Sequence, residues 1–203
     1  VLYNDIELKK QMTKNIIQGL VEELRVESNI LVVQFDLMID DFNKAKETTD
    51  AVDAKIPVIR DLVLRLGSQI PDNSFFSYQH MWEESFTDVT YAMIFSNFIK
   101  NDCDMLLHKE AADLLGICSE SGFHLDVEVY LKALLRVCNS LSRAAFIAGT
   151  KREKKLVHDI YKFVSAVNDG FKLLTIKNGK LRFQYDGLKY KILELREILT
   201  DFA

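Results

Sequence analysis

Only two prolines, Pro57 and Pro71, and eight glycines interrupt the 203 residues of this chain. That scarcity excludes a meander of many short strands, which needs turn residues every few positions, and favours long helices. No segment alternates apolar and polar residues strictly enough to predict a strand. No uncharged apolar run is long enough to cross a bilayer and no secretory apolar segment stands out, so neither membrane insertion nor export is expected. Cys103, Cys118 and Cys138 are odd in number and form no CxxC. They are expected to be reduced, buried thiols of an intracellular protein, not a disulfide framework. His80, His108, His124 and His158 are scattered, with no Cys or acidic partner at zinc spacing, so no metal is expected. No Ser–His–Asp or Cys–His grouping offers a nucleophile.

What the chain does have is helical periodicity around an ample core. Hydrophobic residues make up 48% and charged residues 28%, the balance of a globular protein, and the length suits one domain over residues 1–203. Met12, Ile16, Leu20 and Leu24, then Leu31, Phe35, Met38 and Phe42, recur at helical spacing and predict one or two long amphipathic helices over the first 45 or so residues. A second helix, roughly Thr49 to Leu66, should close at Gly67, with Pro71 in the loop beyond. Asn73 or Ser74 can cap a helix from about Phe75 to Lys100, to which Trp82, Phe86, Val89, Met93 and Phe98 contribute apolar surface. A short helix should close at Gly116, a longer one should start near Asp126 and end at Gly149, and two more complete the chain. The fold class is all-α, about seven helices in a single helical bundle. Leu174, Leu181, Leu188 and Leu195 stand seven apart. That stripe either packs on the chain's own helices or makes a subunit contact; Gly179 and Gly187 weaken a continuous exposed coiled coil.

Net charge is −4, which taken alone argues against a general nucleic-acid binder. The average conceals an asymmetry. From Ser142 to Lys191 twelve Lys/Arg face four Asp/Glu, a net of +8, while the remainder carries −12. Either one surface meets an anion and another meets solvent or a partner, or charge is spread by chance over a helical surface.

The stretch NSFFSYQHMWEES, Asn73 to Ser85, concentrates four aromatic rings and His80 beside Glu83 and Glu84. The rings are either a platform for unpaired bases or the start of a buried helix. Glutamates stand where a phosphate binder needs cations.

From Gly122 onward the chain carries GFHLDVEVYL and then DGFKLLTIKNGKLRFQYDGLKYKI, with LGI before the first motif and LSR at Leu141 to Arg143. These resemble the translin family, in the translin branch, and the resemblance extends over most of the chain from the early NDIELKK segment. It implies an all-α subunit of about seven helices that assembles into a homo-octamer and binds single-stranded DNA and RNA. It also implies work in RNA processing and silencing beside a catalytic paralogue, translin-associated protein X, in cytoplasm and nucleus, with no cofactor of its own.

Departures from the family pattern refine that implication. The family has an aromatic, cationic segment of the form YYRFHEHWRF. Here Phe75, Phe76, Tyr78 and Trp82 keep the rings, while Ser77, Gln79, Met81 and Glu83 replace the cations, leaving His80 as the one imidazole. The residues kept are those a core needs, so the stretch reads as structural. The catalytic paralogue's metal-holding carboxylates fall on Asp88, Tyr91, Arg136 and Ser140 here, and one carboxylate of four cannot hold metal ions for phosphodiester hydrolysis. IAGTKREK, at Ile147 to Lys154, replaces a family segment discussed as nucleotide-binding and has no Walker pattern. The chain is therefore expected to be no enzyme. Lys172, Lys177, Lys180 and Arg182 are the leading candidates for phosphate contact, with Lys151, Arg152 and His80 behind them. The alternative function is a scaffold subunit whose own nucleic-acid binding is weak or lost.

Overall fold

A computed structural model describes residues 2–117, 122–177 and 179–202, with side chains from residue 7 onward; Cys118 lies outside them. Eight α-helices follow in order: α1 (Leu2–Asp40), α2 (Ala45–Gln69), the single turn α3 (Phe75–Tyr78), α4 (Glu83–Lys100), α5 (His108–Leu114), α6 (Val127–Thr150), α7 (Lys154–Lys172) and α8 (Lys180–Thr200). Among the described residues there is no strand, and no helix is long and apolar enough to cross a membrane.

α4 is the centre. Residues from Ser85 to Phe98 are buried with few exceptions, on every side of the helix, as expected of a helix enclosed by others. α1 and α2 pack on one side of α4 and α6 on the other, and α7 and α8 cover α6. Glu83 pairs with Lys132, Asp88 with Arg136 and Tyr91 with Ser140. Partner numbers rise together, so α4 and α6 run parallel. α7 doubles back along α6, and α8 reverses again to bring Ile198 against Gly149, where an added Cβ would stand 2.8 Å from its Cγ2.

Local signals account for two of the boundaries that position the site. Asp126 caps α6 by accepting a hydrogen bond from the Glu128 N–H at 2.6 Å. Gly116 ends α5 with a left-handed φ of 71°. Leu181, Leu188 and Leu195 are buried, so that heptad stripe packs on the chain's own helices, whereas Leu174 lies exposed before α8.

Several expectations are corrected. The first helix is one element of 39 residues, within the one or two expected, but part of its apolar repeat is not core. Met12 and Ile16 are exposed although the adjacent Ile17 is fully buried, because the core-facing line runs through Ile17, Val21 and Leu24 and passes to their side. Gly67 is not a cap but an interior residue of α2. A Cβ at Gly67 would meet Phe123 Cδ1 at 2.9 Å, so the glycine admits that ring. Gly149 likewise lies inside the last turn of α6. The expected Phe75–Lys100 helix is broken by a 3-10 turn at Gln79–Met81. Cys138 is fully buried but Cys103 only half so; burial raises both thiols, that of Cys103 to about 11.

Candidate nucleic-acid interface

The aromatic stretch divides between core and solvent. Phe75 and Trp82 are buried, their ring centroids 5.6 Å apart, and both meet Phe123. His124 stacks on Phe75 at 4.2 Å and steadies the loop that enters α6. Gln79 donates to Asp126 at 2.7 Å, tying the 3-10 turn to the α6 cap. Tyr78 is half-buried. Phe76 is not a core residue: it is 76% exposed, and His80 is exposed as well. The structural reading therefore holds for Phe75 and Trp82 and fails for Phe76. Consecutive residues of a helix point about 100° apart, so only one of the two rings can face the core.

The acidic positions form a closed cluster. Asp88 is 7% exposed and accepts a hydrogen bond from Arg136 Nη1. The Arg136 guanidinium lies 4.7 Å from the Tyr91 ring centroid, and Tyr91 Oη and Ser140 Oγ share a hydrogen bond of 3.0 Å. Burial holds the Asp88 carboxyl above its ordinary range, with Arg136 opposing the shift. Burial also pushes the Tyr91 phenol up to about 12. A guanidinium already neutralises the one buried carboxylate of the cluster, and Glu84 acts on it only through its charge. The donor set does not fit a catalytic metal pair. Among the described residues, no group of three or more His, Cys, Asp or Glu side chains could hold a metal ion.

The candidate cations fall into two groups at opposite ends of α7, which is 19 residues or about 28 Å long. Lys151 and Arg152 occupy the α6–α7 turn, Arg152 with a φ of 60°. Lys172, Lys177, Lys180 and Arg182 surround the α7–α8 connection. That connection lies at the end where α4 and α6 begin, so His80 shares it. Lys172 pairs with Asp169 at 2.7 Å and Arg182 with Asp186 at 3.2 Å. Lys151, Arg152, Lys177 and Lys180 form no ion pair among the described residues.

Both α7 and α8 start against the helix dipole. α7 opens with Lys154 and Lys155 and α8 with Lys180 and Arg182, and neither has an acid in its first turn or a side-chain cap. Cations so placed meet the positive end of the helix dipole, an opposition that the N-cap Glu153 reduces at α7 and that no acid at the N-cap or in the first turn reduces at α8. These positions are poor for stability and good for attracting an anion.

Two exposed rings escaped the sequence reading. Phe183 is 81% and Tyr190 68% exposed on α8. Each lies two residues beyond a leucine of the buried stripe, so a helical projection places them on the opposite face.

The helical bundle is shared with solved structures named C3PO. The apo structure of NeC3PO matches with a TM-score of 0.71 at 13% identity, covering 99% of this chain and 97% of that one. The structure of an AfC3PO–duplex RNA complex matches at 0.66 and 12% identity, covering 98% and 93%. These establish a common fold. The sequence pattern of the translin family matches residues 11–201, and the chain belongs to that family. Translin of Gallus gallus is 28% identical over 147 residues, 71% of this chain and 64% of that one. Translin of Homo sapiens is 29% identical over 140 residues, 68% and 61% respectively. The chain thus spans less than two thirds of the length of these curated relatives.

Proposed function

We propose that this chain is a non-catalytic subunit of the translin branch that binds single-stranded DNA and RNA. The observation that carries this reading is the set of cations at the starts of α7 and α8, placed against the helix dipole with Lys177 and Lys180 unpaired among the described residues. The closed Asp88–Arg136–Tyr91 cluster supports the absence of hydrolysis. The subunit assembles into a homo-octamer and works in RNA processing and silencing beside a catalytic paralogue of the translin-associated protein X type, in cytoplasm and nucleus. The AfC3PO complex with duplex RNA, which has the same fold, accords with a nucleic-acid role. Self-assembly is supported by a second apolar stripe on α1. Val26, Ile30, Val33 and Leu37 recur at heptad spacing opposite the core positions and are exposed.

The test is the native mass of the purified chain, by light scattering, with and without a single-stranded oligonucleotide over a range of salt. A large oligomer that gains oligonucleotide mass at low salt and sheds it at high salt is expected. A stable monomer at micromolar concentration sinks the assembly; an oligomer that takes up no strand makes the chain a scaffold subunit.

A further inference from the structure

Within α8 the rings that pack and the rings that do not are separated by position. Tyr185 is buried and stacks on Phe171 with centroids 5.0 Å apart. Phe183 and Tyr190 stand in water on the other side. Seven residues separate them, so they project from one side of the helix about 10 Å apart along its axis. That is close to the rise of three stacked nucleotides in one strand.

The segment that carries these rings is cation-rich, with Asp186 and Glu194 the acids on their side of the helix. From Lys177 to Lys191 there are five cations, Lys177, Lys180, Arg182, Lys189 and Lys191, and one acid, Asp186. Asp186 is taken up by Arg182 and Lys191 reaches forward to Glu194 at 3.0 Å. Lys177 and Lys180 form no ion pair among the described residues, whereas Lys189 turns toward the packed side, its Nζ 5.9 Å from the Tyr185 ring centroid. A second copy of the chain fits this face poorly, since a two-fold contact sets the same patch against itself and opposes its cations. Unpaired bases fit it well. Each has a flat face for a ring, and its phosphate needs a cation nearby.

We propose, resting on the single-strand reading above, that the outer face of the first three turns of α8 is the stacking platform, with Phe183 and Tyr190 each receiving a base while Lys177 and Lys180 hold phosphates. The rings are surface residues, so truncating them leaves the fold intact.

The experiment uses the full chain and a fluorescently labelled oligo-deoxythymidine 24-mer, with anisotropy read over a range of salt and native mass recorded for each variant. Phe183→Ala and Tyr190→Ala should each weaken binding about ten-fold, with the salt slope unchanged, because stacking releases no counterions. Phe183→Trp should restore binding to at least the parent level. Lys177→Gln/Lys180→Gln should instead lower the slope by about 1.4 units. A Phe183→Ala/Tyr190→Ala protein that binds like the parent overturns the platform and leaves the wider reading standing. One that falls apart into smaller species makes this face a subunit contact and overturns it equally. A parent that binds no 24-mer removes the wider reading and the platform together.

Discussion

Arg136 donates a hydrogen bond to the buried carboxylate of Asp88 while its guanidinium lies 4.7 Å from the Tyr91 ring centroid. One cation thus neutralises the acid and covers the phenol, and the pair joins α4 to α6 at the middle of the bundle. Asp88 is nearly enclosed, whereas Arg136 is 39% exposed along its side chain, so the arginine supplies charge from the rim of the cluster.

Removing Arg136 alone should therefore be expensive. Arg136→Gln leaves a buried carboxylate without its cation, and thermal or urea unfolding should show a loss of about 2–3 kcal/mol near neutral pH. Replacing both partners by leucine should recover most of it. The pH dependence has a defined sign. The folded-state Asp88 carboxyl lies above its unfolded value, so its contribution is present below the unfolded value and lost as pH rises through the folded one. Loss of Arg136 raises the folded value further. The gap between variant and parent should shrink on acidification toward about pH 4, and a gap that widens there contradicts the assignment.

No magnesium-dependent cleavage of single-stranded RNA is expected. Hydrolysis needs clustered oxygen ligands to fix metal ions on the phosphate, and here Tyr91, Arg136 and Ser140 surround the single carboxylate. Gel assays with a heat-denatured control should show equal backgrounds. Cleavage that disappears in Asp88→Asn would refute this directly.

The two faces of the aromatic stretch should separate in stability measurements. Trp82→Ala should cost about 3–5 kcal/mol, because it empties a buried ring cluster with Phe75, Phe86 and Phe123. Phe76→Ala should stay within about 0.5 kcal/mol, since that ring is largely in water. Equal losses in the two variants are the result that contradicts this division.

The two cation groups should act independently in salt titrations. Lys180→Gln/Arg182→Gln should weaken single-strand binding for all sequences and lower the log–log slope by about one to one and a half units. Arg182 is the weaker contributor because Asp186 already holds it. Lys151→Gln/Arg152→Gln removes cations about 28 Å away at the other end of α7. Its effect should add to the first if one strand spans the helix. A folded Tyr78→Ala/His80→Ala protein should bind nearly as the parent does. If it loses binding while the Lys180/Arg182 variant keeps it, the aromatic stretch is the platform after all.

Much of the fold was legible because helix signals are local. A 3.6-residue apolar repeat, Asp126 before α6, Gly116 after α5 and the scarcity of proline determine helical segments without reference to the rest of the chain. The leucine stripe on α8 and the replacement of three of four acidic positions were readable for the same reason, since spacing and residue type are properties of sequence. What the sequence could not decide is which apolar positions find a neighbour. Met12 and Ile16 continue the repeat of Leu20 and Leu24, yet they stand in solvent because the packed line of α1 shifts to Ile17, which is fully buried. Phe75 and Phe76 are equally aromatic, and only the approach of Phe123 and His124 from a distant segment selects the first for burial. Gly67 fits a helix cap as well as an interior site until Phe123 fills the space where its Cβ would be. The separation of the cations to both ends of α7, and the exposure of Phe183 and Tyr190, follow from how α6, α7 and α8 fold back on one another. Burial is a property of the assembled neighbours, and those neighbours exist only once the chain has folded.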